Sequence, residues 1–260
     1  MSNYQNILFE HDGPIARITL NRPDAANGID QALADELARA ATYCSDDPAI
    51  KVVVLTGAGR FFSAGGDVRA MSESGNTGQF IEKLAATLHH AVSALARMDA
   101  LLIVGVNGVA AGAGFSLAVA GDLVVAAESA KFTMAYTKIG LSPDGGASYY
   151  LPRIIGLRKT QELMLTNRTL SAAEALEWGL LHQVVRDVEL ADAVEELAQQ
   201  FAQGPKESNA HVKKLLLVSG QHTLEEQLAT EAAFITQGAE SADGAEGIAA
   251  FIGKRAPKFA

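Results

Sequence analysis

The stretch 107–146, NGVAAGAGFSLAVAGDLVVAAESAKFTMAYTKIGLSPDGG, decides the fold. It follows an apolar run, LLIVGV (Leu101–Val106), that reads as a strand. Glycines at 108, 112 and 114 form a loop, and an apolar segment from Phe115 to Ala120 comes next. A loop of this kind leaves backbone N–H groups unpaired at a helix start, where they and the helix dipole favour negative charge. Further on, Asp144 stands in a Pro-Asp-Gly-Gly turn. A fixed anion site beside a carboxylate suits chemistry next to a carbonyl. A phosphate-binding loop or a tight packing turn would use the same glycines.

Upstream, KVVVLT (51–56) is a continuous β-branched run and reads as a buried parallel strand. A second small-residue loop, GAGRFFSAGGD (57–67), follows it directly. Residues 7–10 and Ile15–Leu20 read as two strands turned at Asp12-Gly13. Helical spacing predicts a helix over 29–42, from Ile29, Leu33 and Leu37. A long amphipathic helix is predicted over 78–97, with Ile81, Leu84, Leu88, Val92 and Leu95 on one side. Strands alternate with helices, so the class is α/β with a largely parallel sheet.

Downstream, residues 123–126 and 182–185 read as strands. Residues 149–156 lead into a helix at 159–165. Ser171 with Glu174 forms a capping box, and Gly179 stops that helix. From Leu190 onward the pattern is only helical: 190–203, 207–218, 223–237 and 242–252, with Thr223 and Glu226 as another capping box. The division predicted is a core over 1–195 and a helical C-terminal region over 196–260.

The totals bound the function. A chain of 260 residues, 48% hydrophobic and 20% charged, can bury a large core. A net charge of -9 with no Lys/Arg cluster argues against a nucleic-acid partner. Cys44 is the single cysteine, which removes intramolecular disulfides and cysteine metal sites and suits a reducing compartment. The N-terminal segment lacks the blocks of a signal peptide, and no apolar run reaches membrane length, so the expectation is a cytoplasmic protein. No Walker, G-x-G-x-x-G, H-E-x-x-H or G-x-S-x-G motif is present. What remains is two small-residue loops, each after a buried strand, where α/β proteins bind ligands. Two such loops can aim one N–H each at one oxygen, which makes an oxyanion hole.

GAGRFFSAGGDV with NGVAAGAGFSLAVAGDLVVAAESAKF resembles the crotonase superfamily, the enoyl-CoA hydratase/isomerase family. LSPDGGASYYLPRIIG (141–156), LTNRTLSAAEALEWGLLHQVV (165–185), NRPDAANGI (21–29) and GAEGIAAFIGKRAPKF (244–259) extend the resemblance over nearly the whole chain. It implies a crotonase-like spiral of ββα units with a C-terminal all-helical trimerisation region. It implies acyl-CoA thioester substrates, no cofactor besides the coenzyme A of the substrate, and homotrimers or hexamers.

By motif position, the resemblance places the oxyanion hole at the N–H groups of Gly66 and Ala113, the latter where the family usually has glycine. It places coenzyme A against Ala25, Asn27 and Ala64, with Phe251 and Lys254 closing over it from a neighbouring subunit. Hydratases of the family add water with two glutamates, and their positions fall here on Ser116 and Tyr136. Neither hydroxyl at its ordinary pKa replaces a carboxylate pair.

Asp144 is the remaining acid/base candidate. Its segment resembles the branch of Δ3,Δ2-enoyl-CoA isomerases and ring-1,2-epoxyphenylacetyl-CoA isomerases. The reading is an isomerase that moves a double bond through a thioester enolate. A turn or helix-cap aspartate is the plain alternative for Asp144. A second functional alternative resembles 4-chlorobenzoyl-CoA dehalogenase, with LMLTNRTL (163–170) shared, Asp144 as nucleophile and His89 as base. There His89 is either that base or a buried or interface residue, and Tyr136 covers the acyl pocket. A third alternative is an acyl-CoA-binding protein without catalysis.

Overall fold

The computed structural model describes residues 4–259. Residues 1–3, the start of the segment read for a targeting signal, and residue 260 lie outside them. In chain order the strands are β1 (Ile7–Asp12), β2 (Ile15–Leu20), β3 (Val52–Gly57), β4 (Phe61–Ser63), β5 (Leu101–Val106), β6 (Val109–Ala111), β7 (Leu123–Ala127), β8 (Lys131–Thr133), β9 (Leu170–Ser171) and β10 (Gln183–Val185). The helices are α1 (Gln31–Asp46), α2 (Val68–Glu73), α3 (Thr77–Arg97), α4 (Ala113–Ala118), α5 (Ala147–Thr166), α6 (Ala172–Glu177), α7 (Leu190–Ala202), α8 (Lys206–Val218), α9 (Leu224–Glu240) and α10 (Ala242–Ile252).

Two sheets organise the chain. The larger runs β1-β2-β3-β5-β7-β10, parallel from β2 onward, with β1 added antiparallel through the first hairpin. The smaller runs β4-β6-β8-β9. Strands β3, β5 and β7 of the large sheet are each followed by a short strand of the small one, and β4, β6 and β8 lie parallel to one another. The chain therefore climbs as repeated strand pairs, and the polypeptide leaves each pair at the same edge.

Alternation along the strands buries both faces of the large sheet. Val53, Leu55, Leu102 and Val104 point into a core shared with Leu33, Leu37, Leu88 and Leu95 of α1 and α3. Val52, Val54, Ile103 and Val125 point the other way, against Leu190, Val194, Ala198 and Ala202 of α7. The first of the C-terminal helices thus packs onto the sheet.

Caps fix where the helices begin. Asp30 accepts from Leu33 N and starts α1 two residues later than Ile29, because Ile29 is extended and bridges Gly66 instead. Asn76 accepts from Gln79 N at the head of α3. Both capping boxes read from sequence, Ser171/Glu174 and Thr223/Glu226, are formed, and Gly179 ends its helix turn in the left-handed region. Helix α5 is two helical pieces joined across Gly156, whose φ of 76° and ψ of 161° are non-helical: the second contains the helix expected at 159–165, and the first, from Ala147, covers the segment read only as leading into it.

Candidate active site

The parallel pairing of β4 with β6 sets Ser63 beside Ala110, so the two segments that follow, 64–66 and 112–114, emerge side by side. Glycine is required for this approach. A Cβ on Gly65 would stand 2.7 Å from the carbonyl oxygen of Ala111, and one on Gly114 would stand 2.3 Å from that of Ser63. The buried Ser63 hydroxyl donates to Asn27 O at 2.8 Å and accepts from Gly65 N at 3.2 Å, locking the first loop. The N–H groups of Gly66 and Ala113 donate to no acceptor among the described residues. Two unspent donors on adjoining loops can polarise one oxygen.

Both loops open on a cavity of about 410 Å³. Gly66, Ala113, Tyr136 and Asp144 line it at the polar end, and Met71, Ile81, Leu84, Leu88, Ile139 and Leu141 provide apolar wall. Such a lining accepts an acyl chain and keeps water scarce around the polar groups. Asp144 is the one carboxylate among the described residues that line it. The amphipathic helix read from sequence supplies Ile81, Leu84 and Leu88. Met71 and Ile139 carry no sequence signal beyond hydrophobicity, since only the folding of α2 and of the turn 136–139 against α3 brings them here.

Asp144 stands at the head of α5, where Gly145 and Gly146 both have positive φ, of 65° and 88°. Its carboxylate accepts no backbone N–H, as a capping aspartate would. Oδ1 meets His89 Nε2 instead. His89 projects from α3 with its side chain 54% exposed, so it is neither buried nor spent on packing. It reaches the carboxylate from a neighbouring cleft lined by Ser93, Arg97, Tyr149 and Tyr150, not from the acyl cavity.

Ser116 and Tyr136 converge on the backbone of the same residue. Ser116 Oγ donates to Asp144 O at 2.6 Å, Tyr136 OH lies 3.2 Å from that oxygen, and the two hydroxyls are 3.2 Å apart. Burial pushes the Tyr136 phenol up to about 12, so it remains a hydrogen-bond donor at all ordinary pH. Tyr136 also lines the cavity.

The residues expected against coenzyme A divide. Ala64 is exposed and lines the cavity mouth, and Ala25 is exposed on the turn after β2. Asn27 differs from expectation: it is fully buried, accepts from Arg22 N, and its amide donates to Ala58 O, Phe61 O and Phe62 O. That side chain pins the turn to β4, and its burial keeps it from the surface. Phe251, 86% exposed, and Lys254 lie at the C-terminus and do not line the cavity within one chain. Cys44 is buried on α1, and burial pushes its thiol up to about 12, a structural thiol.

No group of three or more metal-ligating side chains occurs among the described residues, and no helix is long and apolar enough to cross a membrane. Residues 10–260 match the family described as enoyl-CoA hydratase/isomerase. The chain is 39% identical over 258 residues to the 1,2-epoxyphenylacetyl-CoA isomerase of Escherichia coli (strain K12), covering 97% of each. It is 34% identical over 268 residues to the carnitinyl-CoA dehydratase of Salmonella typhi, again covering 97% of each. A crystal structure of an enoyl-CoA hydratase from Polaromonas sp. JS666 superposes with a TM-score of 0.92 at 32% identity, over 98% of this chain and 99% of that one.

Proposed function

The chain belongs to the enoyl-CoA hydratase/isomerase family, and from that premise we propose that it shifts a carbon–carbon double bond in an acyl-CoA thioester, with Asp144 as acid and base. One observation carries the reading: among the described residues a single carboxylate residue, Asp144, lines the apolar cavity, together with Gly66 and Ala113, whose N–H groups are free. Hydration by a carboxylate pair has no second carboxylate to use there.

The chemistry follows from those groups. The Asp144 carboxylate takes a C2 proton from a 3-enoyl thioester. The C2–H electron pair forms the C1–C2 double bond of the dienolate, and the thioester oxygen takes the charge between the two N–H donors. Removing one such donor in other enzymes costs about 3 kcal/mol of transition-state stabilisation. Asp144, now a carboxylic acid, returns the proton at C4, and the double bond ends between C2 and C3. Nothing besides the CoA thioester is required. The Escherichia coli relative, at 39% identity, is a 1,2-epoxyphenylacetyl-CoA isomerase and the Salmonella typhi one, at 34%, a dehydratase, which supports isomerisation of an acyl-CoA over dehydration.

The contact between His89 and Asp144 favours one alternative, in which Asp144 is a nucleophile, attacking the thioester carbon in a hydrolase or the halogen-bearing ring carbon in a dehalogenase, and His89 activates water. Isomerisation and C2 proton–deuterium exchange of 3-enoyl-CoA thioesters, wild type against Asp144→Asn, separates the readings. Isomerisation lost in the variant is the expected result. CoA or halide release with no exchange would instead establish the nucleophilic role. No turnover of short, long or aryl acyl groups would leave an acyl-CoA-binding protein.

We further place residues 1–195 as the part that holds the acyl-CoA and 196–260 as the oligomer-forming part of a cytoplasmic homotrimer or hexamer. Leu224, Leu228, Ile235, Ile248, Phe251 and Ile252 are exposed on α9 and α10, an apolar face that supports burial against other copies. Ala25 and Ala64 would touch coenzyme A within one chain, and Phe251 and Lys254 would do so from the next.

A further inference from the structure

We propose that Ser116 and Tyr136 are positioning residues that hold the Asp144 backbone, through its carbonyl oxygen, at a fixed place relative to the Gly66/Ala113 donors. The inference rests on the acid/base reading of Asp144.

The turn that carries Asp144 has little else to fix it. Two consecutive positive-φ glycines follow, and the next N–H able to reach the carbonyl, that of Ala147, lies at 3.5 Å. Among the described residues the carboxylate is tied only to His89, itself half exposed. Ser116 is different. It is fully buried, on the helix that begins with Ala113, and its hydroxyl donates to the carbonyl oxygen of the turn at 2.6 Å.

The same Oγ lies 3.3 Å from Gly112 O, the residue just before the Ala113 donor. One serine therefore connects the oxyanion loop to the base-bearing turn. Tyr136 closes the triangle, with its hydroxyl 3.2 Å from both Ser116 Oγ and Asp144 O. Each hydroxyl has one proton to give: with Ser116 donating to the near Asp144 carbonyl, Tyr136 donates either to that same oxygen or to Ser116 Oγ, and in both cases the carbonyl keeps a donor. Both hydroxyls are thereby committed to the protein, not to a water or the substrate.

The consequence is kinetic. The base must reach C2 and C4 while the thioester oxygen stays between the two N–H groups, and a displacement of about 1 Å can lower the rate about 100-fold. Loss of the clamp should lower kcat with little change in KM, because the acyl and CoA contacts are untouched.

The test uses full-length Ser116→Ala, Tyr136→Phe and the double variant, with wild type and Asp144→Asn alongside. The readouts are kcat and KM for a 3-enoyl-CoA, C2 exchange, and the thermal midpoint. The expected result is a drop in kcat of about tenfold or more for each single variant, KM within about twofold, and a double variant less impaired than the product of the singles, since both act on one carbonyl. Tyr136→Phe keeps the ring and decides the matter if Ser116→Ala does not fold. Wild-type kcat in the double variant, with Asp144→Asn inactive, overturns the clamp alone. A raised KM at unchanged kcat also overturns it, because it would place the hydroxyls on the substrate. Full activity in Asp144→Asn overturns the acid/base reading and the clamp with it.

Discussion

His89 Nε2 and Asp144 Oδ1 are hydrogen-bond partners across 55 residues of sequence, joining the solvent side of α3 to the turn before α5. Oδ2 accepts no hydrogen bond among the described residues, so one oxygen of the carboxylate is steadied while the other is free to take a proton. The histidine approaches from outside the acyl cavity and cannot itself reach a carbon held inside it.

That arrangement gives the first prediction. Asp144→Asn should lower isomerisation at least about 100-fold, the usual worth of a positioned general base. His89→Gln, which keeps a donor, should lose less than about tenfold. Steady-state rates on one 3-enoyl-CoA check both. Equal losses at the two positions would mark the histidine as a reacting group and favour the nucleophilic alternative.

The second prediction concerns the loops that bear the N–H donors. Gly114→Ala would drive a Cβ to 2.3 Å from Ser63 O and 2.7 Å from Ser63 Cβ, so the two loops must part. Overpacking of this kind costs about 1–3 kcal/mol, and activity should fall by more than stability because the donors separate. Gly78→Ala is the control: its nearest neighbour would be 3.7 Å away on exposed α3, and it should be neutral or stabilising by up to about 1 kcal/mol. Urea midpoints and kcat of the two variants make the comparison.

Much of this was readable from sequence, and the reason differs by element. Strands β3 and β5 announce themselves by continuous apolar runs, β1 and β2 by the Asp12-Gly13 turn between them, α3 by its apolar stripe, and α6 and α9 by their capping boxes, all local signals. The small sheet gives none, because β4, β6, β8 and β9 are two or three residues each and exist only through pairing with one another. Ile29 has helical spacing with Leu33 and Leu37, yet tertiary pairing with Gly66 takes it out of the helix. The glycine loops and Asp144 stand out by motif. The meeting of His89 with Asp144, and of Ser116 and Tyr136 with its carbonyl, depends on side-chain direction in the finished fold. Asn27 shows the converse: its position in the turn is right, and its burial removes the role.

A third prediction follows from the Tyr136 phenol. Burial raises it from 10.0 to about 12, so the folded chain keeps a proton that the unfolded chain has begun to release at pH 10. Its contribution to stability is complete below pH 10 and is lost as pH rises from 10 toward 12. Tyr43 and Tyr150 are also raised, so the wild-type curve alone does not isolate it. Denaturant midpoints across pH 9–12 should fall more steeply for wild type than for Tyr136→Phe; parallel curves would show that the phenol is not held protonated by the fold.

The exposed apolar face of α9 and α10 makes the fourth. Ile235, 75% exposed, lines a groove of the C-terminal region together with Leu228 and Ile248. Sedimentation velocity should give a species larger than the 27.3 kDa chain, and Ile235→Asp should shift it toward that mass. A monomeric wild type at micromolar concentration would contradict the proposed assembly and the assignment of Phe251 and Lys254 to a neighbour's coenzyme A.

Lys213 carries the last prediction. Its ammonium, with the side chain 5% exposed, donates to Leu95 O at 2.8 Å and Ala100 O at 3.0 Å and pairs with Asp122 Oδ2 at 2.8 Å. Asp122 in turn accepts from Leu102 N at 2.7 Å. One buried cation thus ties α8 to the end of α3 and the start of β5, the strand that leads to the second oxyanion loop. Lys213→Met fills the same space but takes the ammonium donor from two carbonyls and leaves the Asp122 carboxylate without its counter-charge, at a cost of about 2–4 kcal/mol. Adding Asp122→Leu removes the stranded charge, so the pair should cost less than the sum of the two single changes by about 1 kcal/mol or more. Chemical denaturation of the four proteins closes the cycle. Additive losses would mean that the ammonium serves the two carbonyls and that its ion pair with Asp122 adds nothing.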